Sequence, residues 1–155
     1  FLGRRAEQHI EVWKDKRSAI IDRSIYEDAE IFAKALFSMG NLTERDYRTY
    51  LKLYSIVTNN LPPPSLLIYL TAPVEVLLQR IQQRARSMET GISAEYLSLL
   101  ESFYVDWLER FNLCPVLTIH TEDLDFVQNP AHIQTILEWV NERLSGKDVL
   151  TFRAP

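Results

Sequence analysis

The sequence predicts an α/β domain in which a parallel sheet is flanked by helices. Short apolar runs at 19–22, 66–70 and 115–119 have the length and the Ile, Val and Leu content of strands buried on both faces of a sheet. Longer stretches with a helical period separate them. Strands that alternate with helices pair in parallel, because a parallel neighbour is reached only through a crossover connection. With 155 residues, 46% hydrophobic and 25% charged, the chain can build one core, and 1–155 reads as a single domain.

The first element is a helix from Phe1 to Lys16, with Leu2, Ala6, Ile10 and Trp13 as its apolar positions and a charged run, Lys14 to Arg17, closing it. Ala19 to Asp22 is the first expected strand. Ser24 then caps a helix that runs to about Met39, and Glu27 three residues on completes a capping box. Gly40 ends it, as glycine does where a helix needs a left-handed residue. Thr43-Glu44-Arg45-Asp46 opens a helix carrying Tyr47, Tyr50 and Tyr54, read as packing or interface residues. Asn59-Asn60 and the stiff connector Pro62-Pro63-Pro64 end it. Leu66 to Leu70 is the second strand, and Pro73 suits the first position of the helix that runs to about Arg84. After Gly91 a helix spans 93–111, Pro115 to Ile119 is a strand, Pro130 to Leu144 is the last helix, and 149–152 is a final strand.

Composition closes several avenues. The net charge is −4, whereas a protein that grips polymeric nucleic acid carries a basic face. No apolar run reaches the roughly 20 residues that a membrane span needs. Cys114 is the one cysteine, so neither a disulfide framework nor a cysteine zinc site is available. His9, His120 and His132 lack metal-ligand spacing. A cytoplasmic setting is the default. Phe1 is not a methionine and lies on an apolar face, so the chain reads as the C-terminal part of a longer protein.

Two clusters carry chemistry. Asp22-Arg23-Ser24 follows the first expected strand, and ligands of open α/β sheets gather beyond the carboxyl ends of strands. There an acid can order a metal ion and a guanidinium can hold a phosphoryl oxygen; an ion pair followed by a helix cap is the other reading. Arg80, Arg84 and Arg86 form the second cluster. Residues four apart share a helix face, and several guanidinium groups on one face suit a polyphosphate, which accepts bidentate hydrogen bonds. A solvated basic face is the alternative. Ser87-Met88-Glu89-Thr90-Gly91 follows as a polar segment able to close over phosphates. Asp28 reads from spacing alone as a first-turn acid favoured by the helix dipole. No Gly-x-x-x-x-Gly-Lys-Ser/Thr loop is present.

Taken together, these residues resemble the deoxynucleoside kinase family, in particular bacterial deoxyadenosine, deoxyguanosine and deoxycytidine kinases. The matching segments are Ile21 to Phe32, with Asp22-Arg23-Ser24 at their start, then Leu67 to Leu70 with Pro73, then Arg80 to Ile92 with Tyr96. The resemblance implies a P-loop NTPase-like fold whose phosphate loop, first strand and general-base glutamate lie upstream of this sequence. It implies ATP-dependent phosphorylation of a deoxynucleoside 5′-hydroxyl, a step of nucleotide salvage, with ATP and Mg2+ as cofactors and a homodimer as the assembly. The segment alone is expected to be inactive.

The resemblance also implies residue roles. Asp22 matches the acid that helps to order magnesium, through water, and Arg23 the arginine near the 5′-hydroxyl and the transferred phosphoryl group. Arg80, Arg84 and Arg86 match the lid arginines that grip ATP phosphates, and Glu89 the lid acid that contacts the sugar 3′-hydroxyl. Asp28 and Arg4 match the pair that reads the nucleobase, and Phe32 a wall of the base pocket. Asp125-Phe126 falls where the family places its loop around the adenine of ATP. Asp22 stands where animal enzymes usually have Glu, Met88 where some relatives have a second acid, and Ala85 where glycine is frequent. Two other readings are a nucleoside monophosphate kinase such as thymidylate kinase, and a non-catalytic nucleotide-binding domain that has lost its phosphate loop.

Overall fold

The computed structural model describes residues 2–15, 17–89, 91–124 and 129–145. The expected strand at 149–152 lies outside them. The described elements are α1 (Leu2–Lys14), α2 (Ile25–Glu27), a π-helical turn (Asp28–Ala33), α3 (Lys34–Ser38), α4 (Glu44–Thr58), β1 (Leu67–Thr71), α5 (Val74–Arg84), a 3-10 turn (Ser87–Glu89), α6 (Ala94–Leu108), β2 (Val116–His120) and α7 (Pro130–Leu144). They fall into two compact units. One comprises 1–62 and 95–111, the other 63–94 and 112–155.

The first unit is helical. In α1 the inward positions are Leu2, Arg5, Ala6, His9 and Val12, whereas Trp13 is 65% exposed and Ile10 also faces water. The expected apolar face is therefore rotated, and Arg5 and His9 lie on the side that packs. Ser24 caps the next helix as the sequence predicts. Its hydroxyl accepts from the Glu27 backbone N–H at 3.5 Å, and the Glu27 carboxylate accepts from the Ser24 N–H at 2.7 Å. The expected continuous helix to Met39 is interrupted by the π turn at Asp28–Ala33, a feature with no signature in the apolar period. Gly40, at φ +75°, ends it in a Schellman arrangement: the Asn41 N–H donates to the Leu36 carbonyl at 2.8 Å and the Gly40 N–H to that of Phe37 at 3.0 Å. Ile25, Tyr26, Ala29, Ile31, Phe103 and Trp107 fill the core. The ring of Tyr26 meets Phe111 edge-on at 5.9 Å and His9 at 6.4 Å.

One expected element is missing from this unit. Residues 19–22 form no strand; Ala19 is exposed and Ile20 is 90% exposed. A strand survives only when a neighbour takes up its N–H and C=O groups, and the described strands pair only with each other.

The second unit holds the sheet. β1 and β2 are parallel, in register from Leu67 opposite Val116 to Thr71 opposite His120, as the alternation of elements predicts. The expectation that β1 is buried on both faces fails, because Ile68 and Leu70 on one face are 37% and 50% exposed. With two described strands, one side of the ribbon is packed and the other is open. Ala72, Ile119 and Thr121 are buried. Pro73 sits one residue earlier than expected, as the cap of α5, with ψ of 146°.

Candidate active site

Asp22 and Arg23 enter the capped helix of the first unit. Arg23 has φ of +60°, a left-handed conformation that costs a residue bearing a Cβ about 1–2 kcal/mol. Such strain persists only where the surroundings impose it, and it clusters at functional sites. Here the capping box fixes the next turn, and Glu27 is fixed in turn by the Tyr104 hydroxyl, which donates to it at 2.8 Å. The Arg23 guanidinium lies over the Phe32 ring, 4.6 Å from its centroid. Asp22 is exposed.

One turn further on, Asp28 is 6% exposed and opens the π turn. Arg5 Nε donates to its carboxylate at 3.1 Å. Burial pushes the Asp28 carboxyl above its ordinary range against the downward pull of the Arg5 charge. Tyr50 is close enough for its hydroxyl to be pushed up to about 12 by burial and by the negative charge of Asp28. Burial, with Glu30, also raises Tyr54 and Tyr47, so the tyrosines face the acidic helix as packing residues.

The arginine that reaches Asp28 in the structure is thus Arg5, whereas Arg4, matched with Asp28 by the resemblance, makes no ion pair with it. Successive helix residues point about 100° apart, so only one of the two arginines can share the inward face; Arg4 is exposed. The signal for Arg5 was its spacing from Leu2, three residues away on the packed side.

In the second unit the lid arginines divide. Arg84 donates to Glu89 at 3.1 Å, and Arg86 lies 3.8 Å from the same carboxylate. Ala85 between them has φ of +48° and ends α5. Arg80 does not join them. Its guanidinium donates to the Thr121 hydroxyl at 3.0 Å and to the carbonyls of Thr121 and Leu124. The expected convergence of three arginines is corrected to two, because α5 places Arg80 against the end of β2. Asp125 and Phe126 lie outside the described residues. No group of three or more His, Cys, Asp or Glu suited to a metal occurs among the described residues, and no described helix is long and apolar enough to cross a membrane.

A parallel αβ ribbon followed by a basic helix end, with a strained Asp-Arg pair before a capped helix, defines a protein of the P-loop NTPase-like, nucleoside kinase fold. The chain belongs to the deoxynucleoside kinase family, whose description matches residues 1–145. It is 36% identical over 142 residues to the deoxyadenosine/deoxycytidine kinase of Bacillus subtilis (strain 168), covering 90% of this chain and 65% of that protein. It is 38% identical over 120 residues to the deoxyadenosine kinase of Dictyostelium discoideum, covering 77% of this chain and 49% of that protein. The structure of deoxyadenosine kinase from M. mycoides with bound dATP is similar with a TM-score of 0.72 and 28% identity, over 90% of this chain and 70% of that one. The chain therefore spans less than two thirds of the length of these curated relatives.

Proposed function

We propose that this chain is the acceptor- and lid-bearing portion of an ATP-dependent deoxynucleoside kinase that phosphorylates the 5′-hydroxyl of a deoxynucleoside in the cytoplasm. The observation that carries the reading is the buried Arg5–Asp28 pair one turn beyond the strained Arg23. In a member of this family it offers a charged donor and a charged acceptor, with Phe32 nearby, to the edge of a nucleobase. Phosphoryl transfer asks little covalent chemistry of the protein; positioning and charge neutralisation supply most of the rate.

In this reading Arg23 faces the transferred phosphoryl oxygens, Arg84 and Arg86 hold donor phosphates, and Glu89 takes the sugar 3′-hydroxyl. Asp125 and Phe126 surround the donor adenine. Mg2+ is held mainly by water, substrate phosphates and one or two carboxylates, and exposed Asp22 fits that donor set. When bound, the ion would neutralise phosphate charge. The exposed side chains Trp13, Leu53 and Ile56 support assembly as a homodimer. The test is direct: intact protein, ATP and a panel of deoxynucleosides should yield the 5′-monophosphate of at least one. Complete absence of product from every deoxynucleoside would refute the proposal.

A further inference from the structure

We infer that Arg80 and Thr121 are positioning residues for the loop after β2, and that Arg80 is not a phosphate ligand. Thr121 follows the last residue of β2 and is 4% exposed. Its backbone N–H and its hydroxyl both donate to the Thr71 carbonyl, at 2.8 and 3.0 Å, which ties the ends of the two strands together. The hydroxyl oxygen also accepts from Arg80 Nη1 at 3.0 Å. Arg80 Nη2 reaches the carbonyls of Thr121, Leu124 at 3.4 Å and Glu122 at 3.5 Å. One guanidinium therefore gathers three carbonyls of the short segment 121–124 against α5.

A planar fork of donors suits this task, and a lysine would reproduce only part of it. Turning Arg80 toward a phosphate would leave those carbonyls and the Thr121 hydroxyl without it. Arg84 and Arg86, by contrast, are exposed side chains that meet Glu89 among the described residues, and ion pairs of exposed side chains exchange readily. The labour is thus divided: Arg84 at the end of α5 and Arg86 just past it can exchange Glu89 for an anion, and Arg80 holds the loop. That loop lies just beyond the carboxyl end of a parallel strand, where α/β sheets bind ligands. The identity of the ligand, the nucleoside part of the ATP donor, rests on the kinase reading above.

The experiment compares the intact wild-type protein with R80K, T121V and T121S by calorimetric titration with ATP and with inorganic tripolyphosphate, which has no base. R80K and T121V should each weaken ATP about tenfold and leave tripolyphosphate within twofold, and T121S, which keeps the hydroxyl, should restore ATP binding. If R80K weakens both ligands alike while T121V binds both as wild type does, Arg80 is a phosphate ligand and the inference fails. It fails too if neither variant changes ATP binding, or if the wild type binds no ATP. Turnover is read separately: wild-type protein that binds ATP but forms no nucleotide would sink the kinase reading and leave the loop inference to the titrations.

Discussion

The Arg5–Asp28 pair allows a quantitative test of the first unit. Removing one partner of a buried pair costs about 3–5 kcal/mol, because a charge is left buried and alone. Arg5 keeps 21% of its side chain in water and Asp28 can escape by taking a proton, so Arg5→Ala should cost less, about 2–3 kcal/mol. At about 2–4 °C per kcal/mol, the melting temperature should fall by roughly 5–10 °C. The loss should depend on pH. Burial already holds the folded Asp28 carboxyl above its unfolded value, so the folded state binds the extra proton. Stability from this group is therefore present below the unfolded pKa and lost as pH rises through the folded one.

Without Arg5 the folded value moves higher still. The deficit of Arg5→Ala should be largest at about pH 8 and shrink toward about pH 4.5, because proton uptake by the raised carboxyl removes the unpaired charge. Thermal melts followed by circular dichroism at both values measure this directly. Adding Asp28→Asn should return most of the lost stability near pH 8. An equal loss at both pH values, or no recovery in the double variant, would refute the reasoning.

Other substitutions probe the strained positions and the lid. Ala85→Gly removes the left-handed cost of a Cβ and should raise stability by about 1 kcal/mol; an unchanged or lower melting temperature would contradict the assigned conformation. Arg23→Gly gains a similar amount and loses its contact with Phe32, worth about 0.5–1 kcal/mol. Stability should therefore hold within about 1 kcal/mol while turnover falls about 100-fold or more, and normal turnover would remove Arg23 from the mechanism. Glu89→Ala should weaken deoxynucleoside acceptors about tenfold and change melting by no more than an exposed pair is worth, about 0–1 kcal/mol. An unchanged acceptor KM would reject its sugar contact.

The helices and the parallel pairing were legible because they are written in local patterns. Capping at Ser24, Thr43 and Gly40, the apolar run of β1, and the spacing of α5 and α7 each depend on residues within a few positions. What was not legible depends on partners distant in sequence. The run at 19–22 has strand composition, but pairing decides whether a strand forms. The face of α1 was misjudged because Trp13 and Ile10 advertise burial more strongly than Arg5 and His9 do. His9 nevertheless packs inward, its Nε2 meeting the Pro62 carbonyl at 2.7 Å. Among the candidate site residues, Asp22, Arg23, Arg84, Arg86 and Glu89 stood out by type and spacing. Arg5, Tyr104 and Thr121 did not, because each matters through a residue 23 to 77 positions away rather than through its neighbours.

Backbone strain connects the two basic clusters. Arg23 and Ala85 are the non-glycine residues with positive φ among those described, and both adjoin or are proposed phosphate-binding arginines. Strain at these two positions has a geometric use. Ordinary helical backbone would carry Arg84 and Arg86 about 200° apart around the axis, where a single carboxylate could not face both. A left-handed residue between them reverses the chain and brings both toward Glu89. At Arg23 the same conformation delivers the chain into a helix whose first turn is locked by Ser24, Glu27 and Tyr104. A residue that must aim a charge at a developing anion has to be held before the anion arrives, since preorganised charge is what lowers the barrier. Glycine would relieve the strain at either position, and by the same step would free the backbone that aims the arginines.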